Sequence, residues 1–385
     1  MKAKRIGALL AAAAVLTVAA SGCAAGDKVD GVLKIGGIGP ATGQNAQYGE
    51  AVRNGAQMAV DEINEAGGIA GMQIEFQFED DESDPEKAVN AYNTLKDWGM
   101  NLLMGTVTSD PCVAVADRTH EDNMFQLTPS GSSAECTKYD NAFRVCFSDP
   151  SQGTEAARYI ATHDLASKVA IIYDNSNSYS TGIVETFKEE AANQNLEIVA
   201  EQAFNSDNKT DFSVQLQKSR DAGADMIFLP IYYSEASQIL QQAKAMSGFT
   251  PKFFGCDGMD GILAMENFDV SLAEGLMFMT PFDTTSEDEL TQNFVSGYES
   301  RFGGTPNQFA ADAYDAIYII KAACEKAGLK DQMTNSDLCN ALKTAMTEID
   351  FTGLTGKNIK WTADGEPNKD PSVLQVSGGA YVSVK

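Results

Sequence analysis

From Val32 onward, short apolar, β-rich runs alternate with segments of helical periodicity, and this alternation restricts the chain to an α/β architecture. Strands are expected at 33–38, 74–78, 102–104 and 125–127, then at 169–173, 197–200 and 226–231. Between the first two, Val52, Ala56, Ala59, Val60 and Ile63 recur at helical spacing, and Gly67-Gly68 ends that helix. Asp84 and Pro85 read as the N-cap and first residue of the next. Further helices are expected near 181–193, 212–222 and 235–245. Strands joined through helices run parallel, so each series builds a parallel sheet covered on both faces. The 385 residues exceed what one hydrophobic core supports, and the two series meet near Ser148-Asp149-Pro150. Two lobes follow. After about Pro281 the pattern is mainly helical (287–301, 310–327, 336–346), and strand-like runs at 359–361 and 373–376 close the chain.

The N-terminus has its own grammar. Lys2, Lys4 and Arg5 precede an apolar run over 6–20, and Ala20-Ser21-Gly22 ends it with small residues. A run of about 15 residues is short for a permanent membrane span, so 1–22 reads as an export signal. Cys23 directly after Ala-Ser-Gly resembles a bacterial lipobox, although Leu is commoner than Ala at position 20. That resemblance implies a lipid on Cys23, a flexible tether over 23–30, and attachment to the outer face of the bacterial cell membrane. Export permits disulfides. Cys136 and Cys146 flank a polar turn, and Cys324 and Cys339 lie in successive helices; both pairings are open expectations, with Cys112 and Cys256 left over.

Charge narrows the partners. Against 28 Lys and Arg stand 54 Asp and Glu, a formal net charge of −26. Such a field repels phosphate backbones and anionic headgroups, so neither nucleic acid nor a membrane held by charge is expected. The only histidines are His120 and His163, and no CxxC pair accompanies them. The acidic run 79–84 lacks the glycine and terminal glutamate of an EF-hand. There is no P-loop and no GxSxG elbow, and Pro40 spoils Gly36-Gly37-Ile38-Gly39 as a phosphate loop. No metal, no cofactor and no catalytic residue is therefore expected. An exported hydrolase using Ser or Asp remains a remote alternative.

Ligands on open α/β sheets bind beyond the strand C-termini. There the chain carries Thr106 to Pro111 after the third strand and Thr128-Pro129-Ser130-Gly131-Ser132-Ser133 after the fourth. Short hydroxyls and free amides near a helix start suit a carboxylate, although on these residues alone plain capping and turn chemistry is the favoured reading. Tyr179, Tyr232 and Asp257 follow strands of the second series.

With these features in order, nearly all of the exported chain resembles the leucine/isoleucine/valine-binding proteins of ABC importers. The likeness rests on 35–43 with Gln47-Tyr48-Gly49, Asp61-Glu62-Ile63-Asn64, Gly67-Gly68-Ile69-Ala70-Gly71, Asp80-Asp81 with Asp84-Pro85, Thr128-Pro129-Ser130, Gln152-Gly153, Asp211-Phe212 and Gly255-Cys256-Asp257-Gly258. It implies the type I periplasmic-binding-protein fold, two Rossmann-like lobes joined by a three-strand hinge and closing over an amino acid. Lobe 1 would span 31–149 and 281–352, and lobe 2 would span 150–280 and 353–385. By the same resemblance Ser109 and Ser132 hold the ligand carboxylate, and Ser130 offers a backbone carbonyl to its ammonium. Asp257 pairs with that ammonium, and Tyr232 touches the head group. Tyr179 stands at the cleft mouth, and Tyr48 and Phe309 wall the side-chain pocket. Asp257 is a methylene shorter than the family's usual Glu. Thr108 and Ser83 replace cysteines that are bridged in some relatives. Asp110 adds an acid beside the carboxylate site and is expected to face outward as a cap. The implied partners are an amino acid, branched-chain or otherwise apolar, and an ABC permease, with the receptor a monomer. An amide, a urea or an aromatic acid in the same fold is the alternative ligand.

Overall fold

The computed structural model describes residues 27–384. The export signal and Cys23 lie outside the described residues. The first sheet contains β1 (Val32–Gly39), β2 (Gln73–Asp80), β3 (Leu102–Gly105), β4 (Gln126–Thr128) and β5 (Ala142–Arg144) in the order β2-β1-β3-β4-β5, every pair parallel. Helices α1 (Ala46–Glu65), α2 (Pro85–Trp98) and α3 (Ser109–Glu121) connect its strands. The second sheet contains β6 (Lys168–Asp174), β7 (Glu197–Phe204), β8 (Met226–Leu229), β9 (Lys252–Gly255), β10 (Met277–Thr280), β11 (Ser372–Ser377) and β12 (Ala380–Ser383). Its order is β12-β11-β10-β9-β8-β6-β7, antiparallel only at β10/β11 and β11/β12. Around it lie α4 (Asp149–Thr162), α5 (Ser178–Gln194), α6 (Ser213–Asp221) and α7 (Tyr233–Ala245). The chain then returns through α8 (Glu289–Phe302), α9 (Gln308–Ala327) and α10 (Asn335–Met346) to the first lobe. The expected two-lobed α/β architecture is present, and three segments cross between the lobes, at 145–148, 281–288 and 371.

Close helix packing sets the first lobe's half of the cleft. A side chain at Gly55 of α1 would place its Cβ 2.1 Å from the Ala310 carbonyl of α9, so only glycine lets the two axes approach this closely. That approach brings Tyr48, near the start of α1, against Phe309, near the start of α9.

The structure corrects four expectations. Residues 353–371 pack on lobe 1, not lobe 2. The Arg144 N–H donates to the Gly365 carbonyl at 3.1 Å, and Trp361 Nε1 donates to the Arg144 carbonyl at 2.7 Å. Lys369 is buried there, bonded to Asp312 at 3.0 Å and to the Val145 carbonyl at 3.0 Å. Residues 359–361 form no strand; Ile359 and Trp361 make isolated bridges to Phe351 and Pro367, because this segment runs as irregular cover over the first sheet. The stretch 27–30 is no free tether. Val29 is fully buried, its N–H donates to the Met333 carbonyl at 2.9 Å, and Lys28 bridges to Thr334. Finally, Cys112, Cys136, Cys146, Cys256, Cys324 and Cys339 are all buried free thiols. Cys136 turns toward α3, with Sγ 3.7 Å from the Ser109 carbonyl, while Cys146 sits on a crossing segment. Cys324 lies inside the α9 core, whereas Cys339 points at Asn123 Oδ1, 3.5 Å away.

Candidate functional site

The first lobe offers two polar loops, after β3 and after β4. Ser130 Oγ donates to the Val107 carbonyl at 2.8 Å, and Ser109 Oγ accepts the Ser133 N–H at 3.2 Å, so each loop braces the other. Thr128 Oγ1 accepts the Gly131 N–H at 2.7 Å. Beneath them lies Arg144, wholly buried on β5. Its guanidinium donates to the Gly131 carbonyl (3.1 Å), the Ser133 carbonyl (2.9 Å) and Thr137 Oγ1 (3.0 Å), and it pairs with Glu366 at 2.9 Å. With the carbonyls drawn down to Arg144, the loop is fixed in shape.

The second lobe offers a carboxylate held by aromatic and amide groups. Tyr179 Oη donates to Asp257 Oδ1 at 2.8 Å and accepts the Gly258 N–H at 3.0 Å. Gln152 Oε1 accepts the Asp257 N–H at 3.0 Å. A Cβ at Gly258 would stand 2.8 Å from Tyr179 Oη and 2.9 Å from the Ile231 carbonyl, so this turn requires glycine. Asp257 is buried, and desolvation pushes its carboxyl up to about 7 against the pull of Tyr179 and Gln152. Asp149, at the start of α4, is likewise raised by burial, with Asp257 adding to the effect. Its N–H donates to the Ser132 carbonyl at 2.8 Å, tying the second lobe to the serine loop.

Aromatic rings close the remaining walls. The Tyr48 ring centre lies 4.2 Å from Phe309 and meets Tyr233 and Tyr232 edge-on at 4.9 and 5.7 Å, while Tyr179 and Tyr232 stack at 4.9 Å. All eight expected ligand-site residues, Tyr48, Ser109, Ser130, Ser132, Tyr179, Tyr232, Asp257 and Phe309, line one small cavity of about 10 Å³ between the lobes. Asp110 departs from expectation. Rather than facing outward, it reaches across the cleft and accepts the Ser178 N–H at 3.0 Å, at the start of α5. His120 and His163 stay outside the cavity, stacked on Tyr139 and Tyr159.

Chemically, the cavity sets hydroxyls and amides on one side against a carboxylate on the other, an arrangement that orients a dipolar ligand. The profile of the periplasmic binding protein family matches residues 32–380. The chain belongs to the periplasmic binding protein family. Membership carries an extracytoplasmic location. The leucine-, isoleucine-, valine-, threonine- and alanine-binding protein of Pseudomonas aeruginosa is 29% identical to this periplasmic binding protein over 330 residues, covering 85% of this chain and 86% of its own. The branched-chain amino acid transporter substrate-binding protein LivJ of Streptococcus pneumoniae, solved with isoleucine, superposes at TM-score 0.82 with 30% identity, over 91% of this chain and 97% of its own. The leucine-binding protein LivK of Thermotoga maritima gives TM-score 0.82 with 26% identity, over 92% and 98%.

Sequence reading had the segments of Val107, Thr108, Gln152 and Gly258 in view without assigning these residues to the site, and it missed Arg144 and Tyr233 behind the cavity. For Arg144 a signal existed: it is the lone charge within the apolar run 142–147.

Proposed function

We propose that this periplasmic binding protein captures a branched-chain or other apolar α-amino acid between its lobes and hands it to the permease of an ABC importer. One observation carries the reading: Ser109, Ser130 and Ser132 of one lobe and Asp257 of the other line the same aromatic-walled cavity. Ser109 and Ser132, with amides of their loops, receive the ligand carboxylate. The Ser130 carbonyl and Asp257 receive its ammonium, Tyr232 contacts the head group, and Tyr179 orients Asp257. Tyr48 and Phe309 meet the apolar side chain. Because the ligand bonds to both lobes, it favours their closure, and motion rather than bond-making is the output. A lipid on Cys23 keeps the receptor, as a monomer, beside its permease.

Calorimetry on the signal-less protein with isoleucine, leucine, valine, alanine, glutamate and benzoate tests this reading. Saturable binding confined to apolar amino acids is expected. Preference for benzoate, or turnover of any ligand, would overturn it.

A further inference from the structure

The serine loop engages its amides unevenly. The Gly131 N–H donates to Thr128 Oγ1 at 2.7 Å, and the Ser133 N–H donates to Ser109 Oγ at 3.2 Å. Between them the Ser132 N–H has no acceptor among the described residues, although Ser132 is 1% exposed and lines the ligand cavity. A buried N–H without an acceptor is costly and calls for a partner, and here the open side is the cavity.

Arg144 explains how this N–H is aimed. Its Nη1 donates to the Gly131 carbonyl at 3.1 Å, and that carbonyl belongs to the same peptide unit as the Ser132 N–H. The unit is trans, so its C=O and N–H point in opposite directions. With the carbonyl turned down to the guanidinium, the N–H is turned away from it. A second bond, from Nη2 to the Ser133 carbonyl at 2.9 Å, keeps the fork from pivoting.

The fork is also a charge. Arg144 is wholly buried, while its ion-pair partner Glu366, 2.9 Å away, is 35% exposed and screened by water. Asp149, the other carboxyl acting on it, is driven by burial toward its neutral form. Most of the cation's field is therefore left to the loop. Its hydrogen bond polarises the Gly131–Ser132 peptide and makes the N–H a stronger donor. A carboxylate on that N–H would lie roughly 8 Å from the guanidinium, by standard peptide and hydrogen-bond lengths. At an effective dielectric of about 20 this attraction is worth about thirtyfold in affinity.

We propose that Arg144 is a positioning residue for the ligand carboxylate. Through the Gly131 peptide it aims the Ser132 N–H into the cavity and lends it positive charge, so that the site selects an anionic carboxylate over a neutral amide or urea. The inference rests on the reading that the serine loop receives the carboxylate, and adds the group that sets the preferred charge.

The test is calorimetry with isoleucine on Arg144→Gln, Arg144→Lys and Glu366→Gln, with melting curves to establish folding. Arg144→Gln should bind about thirtyfold more weakly or worse. Arg144→Lys keeps the charge and should bind at least about threefold more tightly than Arg144→Gln. Glu366→Gln keeps an acceptor for Arg144 and for Thr137 Oγ1 but removes the opposing charge. Isoleucine should bind this variant about twofold to threefold more tightly, a gain that fades in high salt. Were Glu366 only a strut for Arg144, the same variant would bind more weakly. Equal losses in the two folded Arg144 variants, or unchanged or weaker binding in Glu366→Gln, overturn the proposal. If neither Arg144 variant folds, Glu366→Gln decides alone. If wild type binds no apolar amino acid, the clamp reading fails and benzoate takes isoleucine's place. The same order of variants with benzoate upholds the role of Arg144, and absence of benzoate binding overturns it.

Discussion

The Tyr48 hydroxyl of the first lobe donates to the Gly258 carbonyl of the second at 2.5 Å and accepts the Tyr233 N–H of that same lobe at 3.3 Å. One oxygen thus holds two main-chain groups across the cleft, both next to the ligand cavity. Tyr48→Phe keeps the ring packing and removes both bonds. The closed form should lose about 1–2 kcal/mol, so isoleucine affinity should fall about 5- to 30-fold. Calorimetry reads this, and an unchanged dissociation constant would show that the contact contributes nothing to closure.

Asp257→Ala should be more severe. Truncating one partner of a desolvated charge pair costs roughly 2–5 kcal/mol, equivalent to about 30- to 5,000-fold in affinity. Ser132→Ala should cost about 1 kcal/mol, because neighbouring amides still hold the carboxylate. At pH 5, where the Asp257 carboxyl is protonated in the fold, melting of the unliganded proteins should change little in either variant. Equal affinities for wild type and Asp257→Ala would mean a ligand without an ammonium.

The same carboxyl predicts a pH dependence. In the fold, burial raises Asp257 and Asp260 from 3.8 to about 7. The folded state therefore binds more protons than the unfolded state between these values, and stability falls as pH rises from about 4 to about 7. Unliganded protein should melt higher at pH 5 than at pH 8. Isoleucine binding runs the other way, since its ammonium favours ionised Asp257. Affinity should weaken from pH 8 to pH 6, and this slope should vanish in Asp257→Asn. A slope retained in that variant would assign the proton to another group.

Asp110 offers a test of closure that two effects push in opposite directions. Its bond to the Ser178 N–H favours the closed form, while its charge opposes a ligand carboxylate nearby. The bond is charge-assisted and spans the lobes, so it should dominate. Asp110→Ala should weaken isoleucine binding about threefold to tenfold, within the 0.6–1.4 kcal/mol expected of one such contact. Tighter binding would mean that repulsion outweighs the clasp.

Cys23→Ser should release the protein from membranes without altering its melting. Fractionation of cells expressing the variant checks this, and a processed variant that still pellets with membranes would exclude the lipid.

Much of this was legible in sequence because the long strands and amphipathic helices repeat one signal many times. β5, β9, β10 and β12 escaped; at three or four residues they are no shorter than β3, β4 and β8, which are legible because each follows a helical segment in an uninterrupted alternation. The cavity residues were legible through ordered motifs rather than periodicity, and Arg144 and Lys369 show what such motifs leave out. Both are charged residues sealed in the first lobe, with the partners of Arg144 reaching 222 positions along the chain to Glu366. Nothing local announces such a partner. Asp110 was misjudged for a related reason: a side chain that bonds across a cleft is indistinguishable in sequence from one that caps its own helix.

The docking of Lys28 and Val29 beside α10 has a mechanical consequence. About five peptide links separate Cys23 from Lys28, and an extended chain of that length reaches no more than ~18 Å. A lipid on Cys23 would therefore keep Lys28 and the first lobe within that distance of the headgroups and leave the second lobe to carry the swing. On the proposed reading, a permease would meet a stator and a rotor, with the rotor's position reporting the cargo.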